Sequence, residues 1–350
     1  MTTPGSAEPL PSRSGSVGDV GERGLIDHIR RRLPPAPASV VIGIGDDAAV
    51  ATSDRGALQV LTTDALVEGI HFERRFSSPA DIGYKALAVN VSDIAAMGAA
   101  PRYALLSLIL PATLLFADVD GLLDGLIEVA EANKVTLVGG NITRSPGPLV
   151  VDVTVIGAVR PRRILTRSGG RAGDHLYVTG AIGAAAAGLG WLRECAGQGT
   201  DLPEDSGLAQ CVLRHRRPEP RARIGALLGR SRAATACMDL SDGLADAVRQ
   251  IAEASGTGAR LSASALPVHE AATRWFSRDG GDPLTAAISG GDDYELLFAI
   301  SSRARGRLRH VVQQARGVEI TKIGELTVEP IIGLERDGAT KPLPAGFVHF

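Results

Sequence analysis

The chain has 350 residues, enough for two domains of ordinary size, and its 44% hydrophobic and 22% charged residues are typical of a folded globular protein. A net charge of −2 gives no basic footprint for nucleic acid or an anionic membrane, and no run of about eighteen apolar residues offers a membrane span. The three cysteines, Cys195, Cys211 and Cys237, lie far apart with no CxxC, which argues against a disulfide framework or thiolate metal site and predicts a reducing, cytoplasmic setting.

Residues 1–20 are rich in Pro, Ser and Gly and lack the apolar stretch of a signal peptide, so they predict a disordered lead. Leu25, Ile26 and Ile29 predict a helix over 21–33, and "SVVIGIG" and "ALQVLTTD" predict short strands. In "DIGYKALAVNVSDIAAMGA", Leu87, Val91 and Ile94 recur at spacings of four and three and predict a helix. A second amphipathic helix follows in "DVDGLLDGLIEVAEAN", and "VTLVGG" and "LVVDVTVIGAV" return to strand. At "RPRRILTRSGGRAGD" Pro161, Gly169 and Gly170 interrupt the pattern and charge rises, which places a domain boundary there, giving domains 21–162 and 163–350. The second half begins again with the strand "HLYVTG" and a small-residue helix from Ile182, and later offers "ATACMDLSDG", the helix "LADAVRQIAEAS" and "AAISGGDDYELLFAI". Asp337-Gly338 predicts the turn of a terminal hairpin. Strands and helices mix without strict alternation, so the fold class is two α+β domains. The basic runs Arg30-Arg31-Arg32 and "RHRRPEPRAR" from Arg214 read as solvated faces, with phosphate contact as the alternative.

An aspartate recurs where a strand ends or a helix begins: Asp46 and Asp47 after "VIGIG", Asp64 after "VLTT", Asp239 and Asp242 in "DLSDG", Asp292 and Asp293 after "SGG", with Asp93 inside a helix. Taken singly, each has a plain structural role: Asp242 as a helix N-cap, Asp292 and Asp293 as turn residues, Asp93 as a solvated position. Taken together they are candidates for one site. Two like charges ~4 Å apart repel by about 4 kcal/mol at an effective dielectric of 20, so convergence requires protonation or a cation. All-oxygen ligands select a hard ion, Mg²⁺ before zinc, and Mg²⁺ on carboxylates usually accompanies phosphates. A phosphate-binding P-loop is excluded, because none of Lys85, Lys134, Lys322 and Lys341 stands in GxxxxGK[ST]. "TGAIGAAAAGLG" lacks the GxGxxG order of a dinucleotide fold, and no calcium loop, kinase HRD/DFG set or nucleophile elbow occurs.

In order and at similar spacing, "GIGDDAAV", "TTDALVEGIHF", "YKALAVNVSDIAAMGA", "VGGNITRS", "LTRSGGRAGD", "MDLSDGLADAV" and "SGGDDYELLF" resemble the thiamine-monophosphate kinases, within the wider aminoimidazole ribonucleotide synthetase-like superfamily. The resemblance covers roughly residues 21–350. It implies an ATP- and Mg²⁺-binding N-terminal domain with a mixed sheet and helices on one face. It also implies a C-terminal α+β domain and a homodimer formed through the N-terminal sheet. The implied reaction transfers the γ-phosphate of ATP to thiamine monophosphate, using several Mg²⁺ ions. By motif position, Asp47, Thr62, Thr63, Asp64, Asp93, Asp239 and Asp242 match the family's metal ligands. Gly140, Asn141, Arg167 and Ser241 match its ATP contacts, and His71, Asp292 and Phe347 its substrate contacts. Asn141 stands where the family commonly has a metal-binding aspartate, and its carbonyl keeps a ligand oxygen without the charge.

The acceptor in such a reaction is a phosphate monoester, whose second pKa is about 6, so it is largely ionised at pH 7 and no general base is required. The barrier is repulsion between two anions, which cations offset. Two alternatives remain at this stage: another ATP-dependent synthetase of the superfamily, and a non-catalytic ATP sensor that lost activity through Asn141. No cysteine precedes Cys195 and the chain ends "GFVHF", which argues against the selenophosphate synthetase and hydrogenase-maturation relatives.

Overall fold

The structure is a computed structural model and describes residues 16–44, 49–194 and 201–346. The first half runs α1 (Val17–Arg32), β1 (Val40–Ile42), β2 (Val50–Ala51), β3 (Leu58–Val67), α2 (Pro79–Ala96), β4 (Ala100–Pro111), α3 (Phe116–Asn133), β5 (Thr136–Ser145) and β6 (Val150–Val159). Its main sheet has the order β3-β6-β4-β5, antiparallel except for the parallel pair β4/β5. Along β6, Val151, Val153 and Val155 are buried while Val150, Asp152 and Thr154 are half-buried. That alternation puts one face of the sheet under helices and leaves the other open. α2 lies across β3, β4 and β6 on the covered face, with α3 packed against α2.

α2 starts where sequence chemistry permits: Ser78 and Asp81 cap each other's backbone N–H groups in a capping box, and Pro79 takes the first turn. The helix is buried nearly all round, polar residues Lys85, Asn90 and Ser92 included. It lies between the first sheet, α3 and the second domain. Its approach to α3 is very close, since a Cβ on Gly83 would collide with the carbonyl of Leu122 and one on Gly125 with that of Ala80. α1 begins at Val17, four residues ahead of the predicted helix, because Ser16 and Asp19 form a second capping box. It kinks at Gly21, whose φ of 69° is left-handed.

The second half runs β7 (His175–Thr179), α4 (Ala184–Glu194), α5 (Ser206–Arg216), α6 (Ala222–Ser231), β8 (Ala234–Asp239), α7 (Leu244–Ser255), β9 (Gly258–Ser262), α8 (Glu270–Ser277), α9 (Pro283–Ser289), β10 (Leu296–Ile300), α10 (Arg305–Gln313), β11 (Ile320–Thr327), β12 (Ile332–Arg336) and β13 (Ala339–Pro342). The sheet order is β13-β12-β9-β11-β7-β10-β8. All five residues of β10, Leu296 to Ile300, are buried. Leu297 and Ala299 enter a core with α7 and α9, while Leu296, Phe298 and Ile300 enter another with α6 and α10. An unbroken apolar run is what a strand covered on both faces requires. The terminal hairpin turns at Asp337 and Gly338, both with positive φ, as the sequence predicts. No helix among the described residues is long and apolar enough to cross a membrane.

The basic run from Arg214 corrects the expectation of a solvated face. His215, Arg216 and Arg221 are buried. Arg221 Nε donates to Glu295 Oε2 at 2.6 Å. Arg217 reaches Asp81 at 2.6 Å and Glu128 at 2.8 Å, both in the first domain. Glu219 within the run pairs with Arg214 and Arg221, but the acids that draw Arg217 and Arg221 inward are remote in sequence, so local charge density misreads it. In the other run, Arg30 and Arg31 are exposed, whereas Arg32 pairs with Asp120 at 2.9 Å.

Candidate active site

Side chains alternate along a strand, so Thr62 and Asp64 point to the covered face of β3 and Thr63 to the open one. Thr62 Oγ1 accordingly donates a short hydrogen bond to Asp93 Oδ2 on α2. One residue earlier on α2, Ser92 Oγ donates to Asp239 Oδ2 at 2.7 Å. Asp239 ends β8 of the second domain and is only 3% exposed, so this bond ties the domains together at a buried carboxylate. Asp242 follows in the loop to α7, where Ser241 Oγ lies 3.4 Å from its Oδ2. Gly243, not Asp242, is the N-cap of that helix, so capping does not account for Asp242.

These carboxylates feel one another. Burial, followed by the charges of Asp93, Asp152 and Asp242, pushes the Asp64 carboxyl up to about 6. Burial raises Asp93 as well, opposed by its bond from Thr62 and by the Arg167 charge. Asp239 is raised by burial and then by Asp93. Arg167 is an exposed residue of the linker between the domains, and its guanidinium bonds Gln250 Oε1.

A second polar group adjoins the first. Lys85, also on α2 and nearly buried, donates to Asp292 Oδ2 at 2.9 Å and lies 3.4 Å from the carbonyl of His71. Tyr294 Oη donates to Asp292 Oδ1 at 3.2 Å. His215 Nδ1 stands 3.4 Å from Asp292 Oδ2 without a hydrogen bond, and burial with the nearby Lys85 charge lowers its pKa. Burial works against the Asp292 charge, yet the Lys85 charge beside it holds its carboxyl far below the usual range. The loop carrying Asp292 is fastened to the Asp239–Asp242 loop by Asp292 N to Ser241 O at 2.7 Å and Tyr294 N to Leu240 O at 3.0 Å. Burial and the charges of Asp292, Asp239 and Asp64 raise the pKa of the Tyr294 phenol.

Among the expected site residues, Thr62, Asp64, Asp93, Arg167, Asp239, Ser241 and Asp242 thus share one cleft, with His71 and Asp292 beside it. Thr63 and Asn141 are on the sheet's other face. Thr63 Oγ1 donates to Asp152 Oδ1 at 2.9 Å, and Ser107 pairs with both Asp152 and Asn141 in register. Gly140 precedes Asn141 at a point where a Cβ would strike the Leu106 carbonyl, so only glycine fits. Asp46, Asp47 and Phe347 lie outside the described residues. Sequence reasoning missed Ser92, Lys85, His215, Tyr294 and Asp152. One signal was present for Lys85, a lone cation in an alanine-rich helix.

Among the described residues, no three His, Cys, Asp or Glu side chains form a group that could hold a metal ion by themselves. The donor set still fits Mg²⁺, which is usually bound by one or two carboxylates together with substrate phosphates. Mutually repelling carboxylates with raised pKa values are the observation that favours a cation there.

An acid with a raised pKa keeps its proton in the folded state while the unfolded chain has lost it, so its contribution to stability falls as pH rises from 3.8 towards about 6 for Asp64. Buried neutral histidines act in the opposite sense, so the informative quantity is a difference. In a chelator, Asp64→Asn should gain stability relative to the parent between pH 4.5 and 7.5, by about 1–3 kcal/mol in urea unfolding. A pH-independent difference would show that Asp64 is not crowded by charge.

Residues 45–159 match the family model of the N-terminal domain of AIR synthase related proteins and 171–337 that of their C-terminal domain. The thiamine-monophosphate kinase of Bacillus subtilis (strain 168) is 38% identical over 89% of this chain and 94% of its own length. The solved thiamine-monophosphate kinase of Stenotrophomonas maltophilia K279a superposes with a TM-score of 0.81 at 34% identity, over 90% of this chain and 96% of that one. AaThiL, solved in complex with AMPPCP and TMP, superposes with a TM-score of 0.74 at 30% identity, over 98% of this chain and 100% of that one. The chain belongs to the thiamine-monophosphate kinase family.

Proposed function

We propose that the protein transfers the γ-phosphate of ATP directly to thiamine monophosphate, giving thiamine diphosphate. The observation that carries this reading is the Asp64–Asp93–Asp239–Asp242 cleft between the domains, in a chain whose relatives over nearly their full length are thiamine-monophosphate kinases. Asp64, Asp93, Asp239 and Asp242, with Thr62, would hold Mg²⁺. When bound, the metal supplies positive charge against the repulsion of donor and acceptor phosphates. Asp47, Thr63 and Asn141 belong to the same proposal by motif alone, since Thr63 and Asn141 stand on the open face beside Asp152.

The chain's own groups do the positioning. The Ser92–Asp239 bond sets the carboxylates of one domain against those of the other. Arg167, at the linker, and Ser241 would meet the nucleotide, with Gly140 giving it backbone access next to Asn141. Asp292 is held ionised by Lys85 and, with His71 and Phe347, would orient the thiamine moiety. No base is needed, because the attacking phosphate oxygen is already ionised near neutral pH. Incubation with ATP, Mg²⁺ and thiamine monophosphate should yield thiamine diphosphate, and Asp64→Asn should lower kcat by at least about 100-fold while remaining folded. ATP binding without thiamine diphosphate formation would favour a sensor instead.

The homodimer proposed with this reading uses the open face of the first sheet. Leu61 is exposed there at 65%, beside a groove of about 1520 Å³ that runs from Gln59 to Asn141. The groove is mostly apolar in its lining, as a surface meant for a partner copy would be. Leu61→Glu should halve the mass seen by light scattering; a wild-type monomer, or an unchanged dimer, would count against this face.

A further inference from the structure

Away from the carboxylate cleft, the seam between the domains carries a groove of about 670 Å³ lined by Arg55, Arg160, Arg162, Arg163, Arg230 and Arg232, with only Gly56 and Pro161 between them. No carboxylate lines it, although the chain as a whole has a net charge of −2. Among the described residues none of the six is ion-paired, whereas Arg102 in the adjoining groove is paired with Asp54 at 2.8 Å. The six come from three places: the β2–β3 connection, the linker after β6, and the end of α6. The carbonyls at the C-terminus of α6 explain cations at Arg230 and Arg232 but not the other four. The backbone beneath is closely packed, since a Cβ on Gly229 of α6 would collide with the carbonyl of Arg163. Leu165 N also donates to Met97 O at 3.1 Å, which fastens the linker to the end of α2.

Guanidinium groups match phosphate oxygens through paired N–H donors, and converging unpaired guanidiniums repel one another until an anion joins them. No aromatic ring lines the groove, so bases would have nothing to stack on. Its volume is that of a small-molecule site. We propose that this arginine groove is a second anion site, separate from the carboxylate cleft, which binds a small ligand through two or more linked phosphates and clamps the two domains with it.

The test uses the full chain in chelator, where the acidic cleft repels anions and binding reports the groove alone. By calorimetry at low salt, inorganic triphosphate should bind, and Arg162→Ser/Arg230→Ser should weaken it about tenfold or more. Both side chains are exposed, so turnover with ATP, Mg²⁺ and thiamine monophosphate should be unchanged in the double variant. ATP should bind in chelator about as tightly as triphosphate, because only the phosphates are read; much tighter ATP binding would contradict this. The proposal is overturned if the parent protein binds no triphosphate without metal, if the double variant binds it equally well, or if an oligonucleotide binds more tightly.

Discussion

Everything at the centre of this molecule depends on one constraint: carboxylates from two domains are pressed together across a seam that a single helix occupies. α2 packs on the first sheet and on α3, and also on α6 and β8 of the second domain. Because it is buried nearly all round, its polar side chains depend on partners in the protein, and of these only Asn90 Oδ1 is left without one among the described residues. Ser92 finds Asp239, Asp93 finds Thr62, and Lys85 finds Asp292. The fold and the site therefore share the same hydrogen bonds.

That sharing also divides the site by charge. Lys85 and Asp93 are eight residues apart, about 12 Å along the helix axis. At one end a cation keeps Asp292 ionised; at the other, burial and then neighbouring acids raise the pKa of Asp64 and Asp239. The first environment is charge-balanced within the protein and suits holding a ligand in place. The second is unbalanced until a cation arrives, which is the condition expected of a site that receives metal and phosphates together. A residue acting as general base would find no task there.

The sequence disclosed the architecture well, because local patterns wrote it: the alternation of β6, the apolar run of β10, the Asp337-Gly338 turn and the stripe of α2. Asp64, Asp93 and Asp239 were legible because they stand in motifs at strand ends and a helix. Their partners were not. Ser92 and Asp239 are separated by 147 residues and Lys85 and Asp292 by 207, and nothing in either local stretch announces the pairing. The run from Arg214 was misread for the same reason, since Asp81, Glu128 and Glu295, which pair with Arg217 and Arg221, are all distant in sequence. Thr63 and Asn141 illustrate a different limit. Motif position groups them with Asp64, but the two-residue period of a strand puts them on the opposite face.

The central claim is that this seam is strained by its own charge and relieved by a cation. Thermal unfolding of the parent and of Asp239→Asn, each in chelator and in excess Mg²⁺ at pH 7.5, tests it most directly. The account predicts that in chelator the variant melts higher than the parent, having lost one repelling buried charge. It further predicts that Mg²⁺ raises the parent's Tm and leaves the variant's nearly unchanged. A variant that melts lower than the parent in chelator, with an equal Mg²⁺ response in both, would contradict the account.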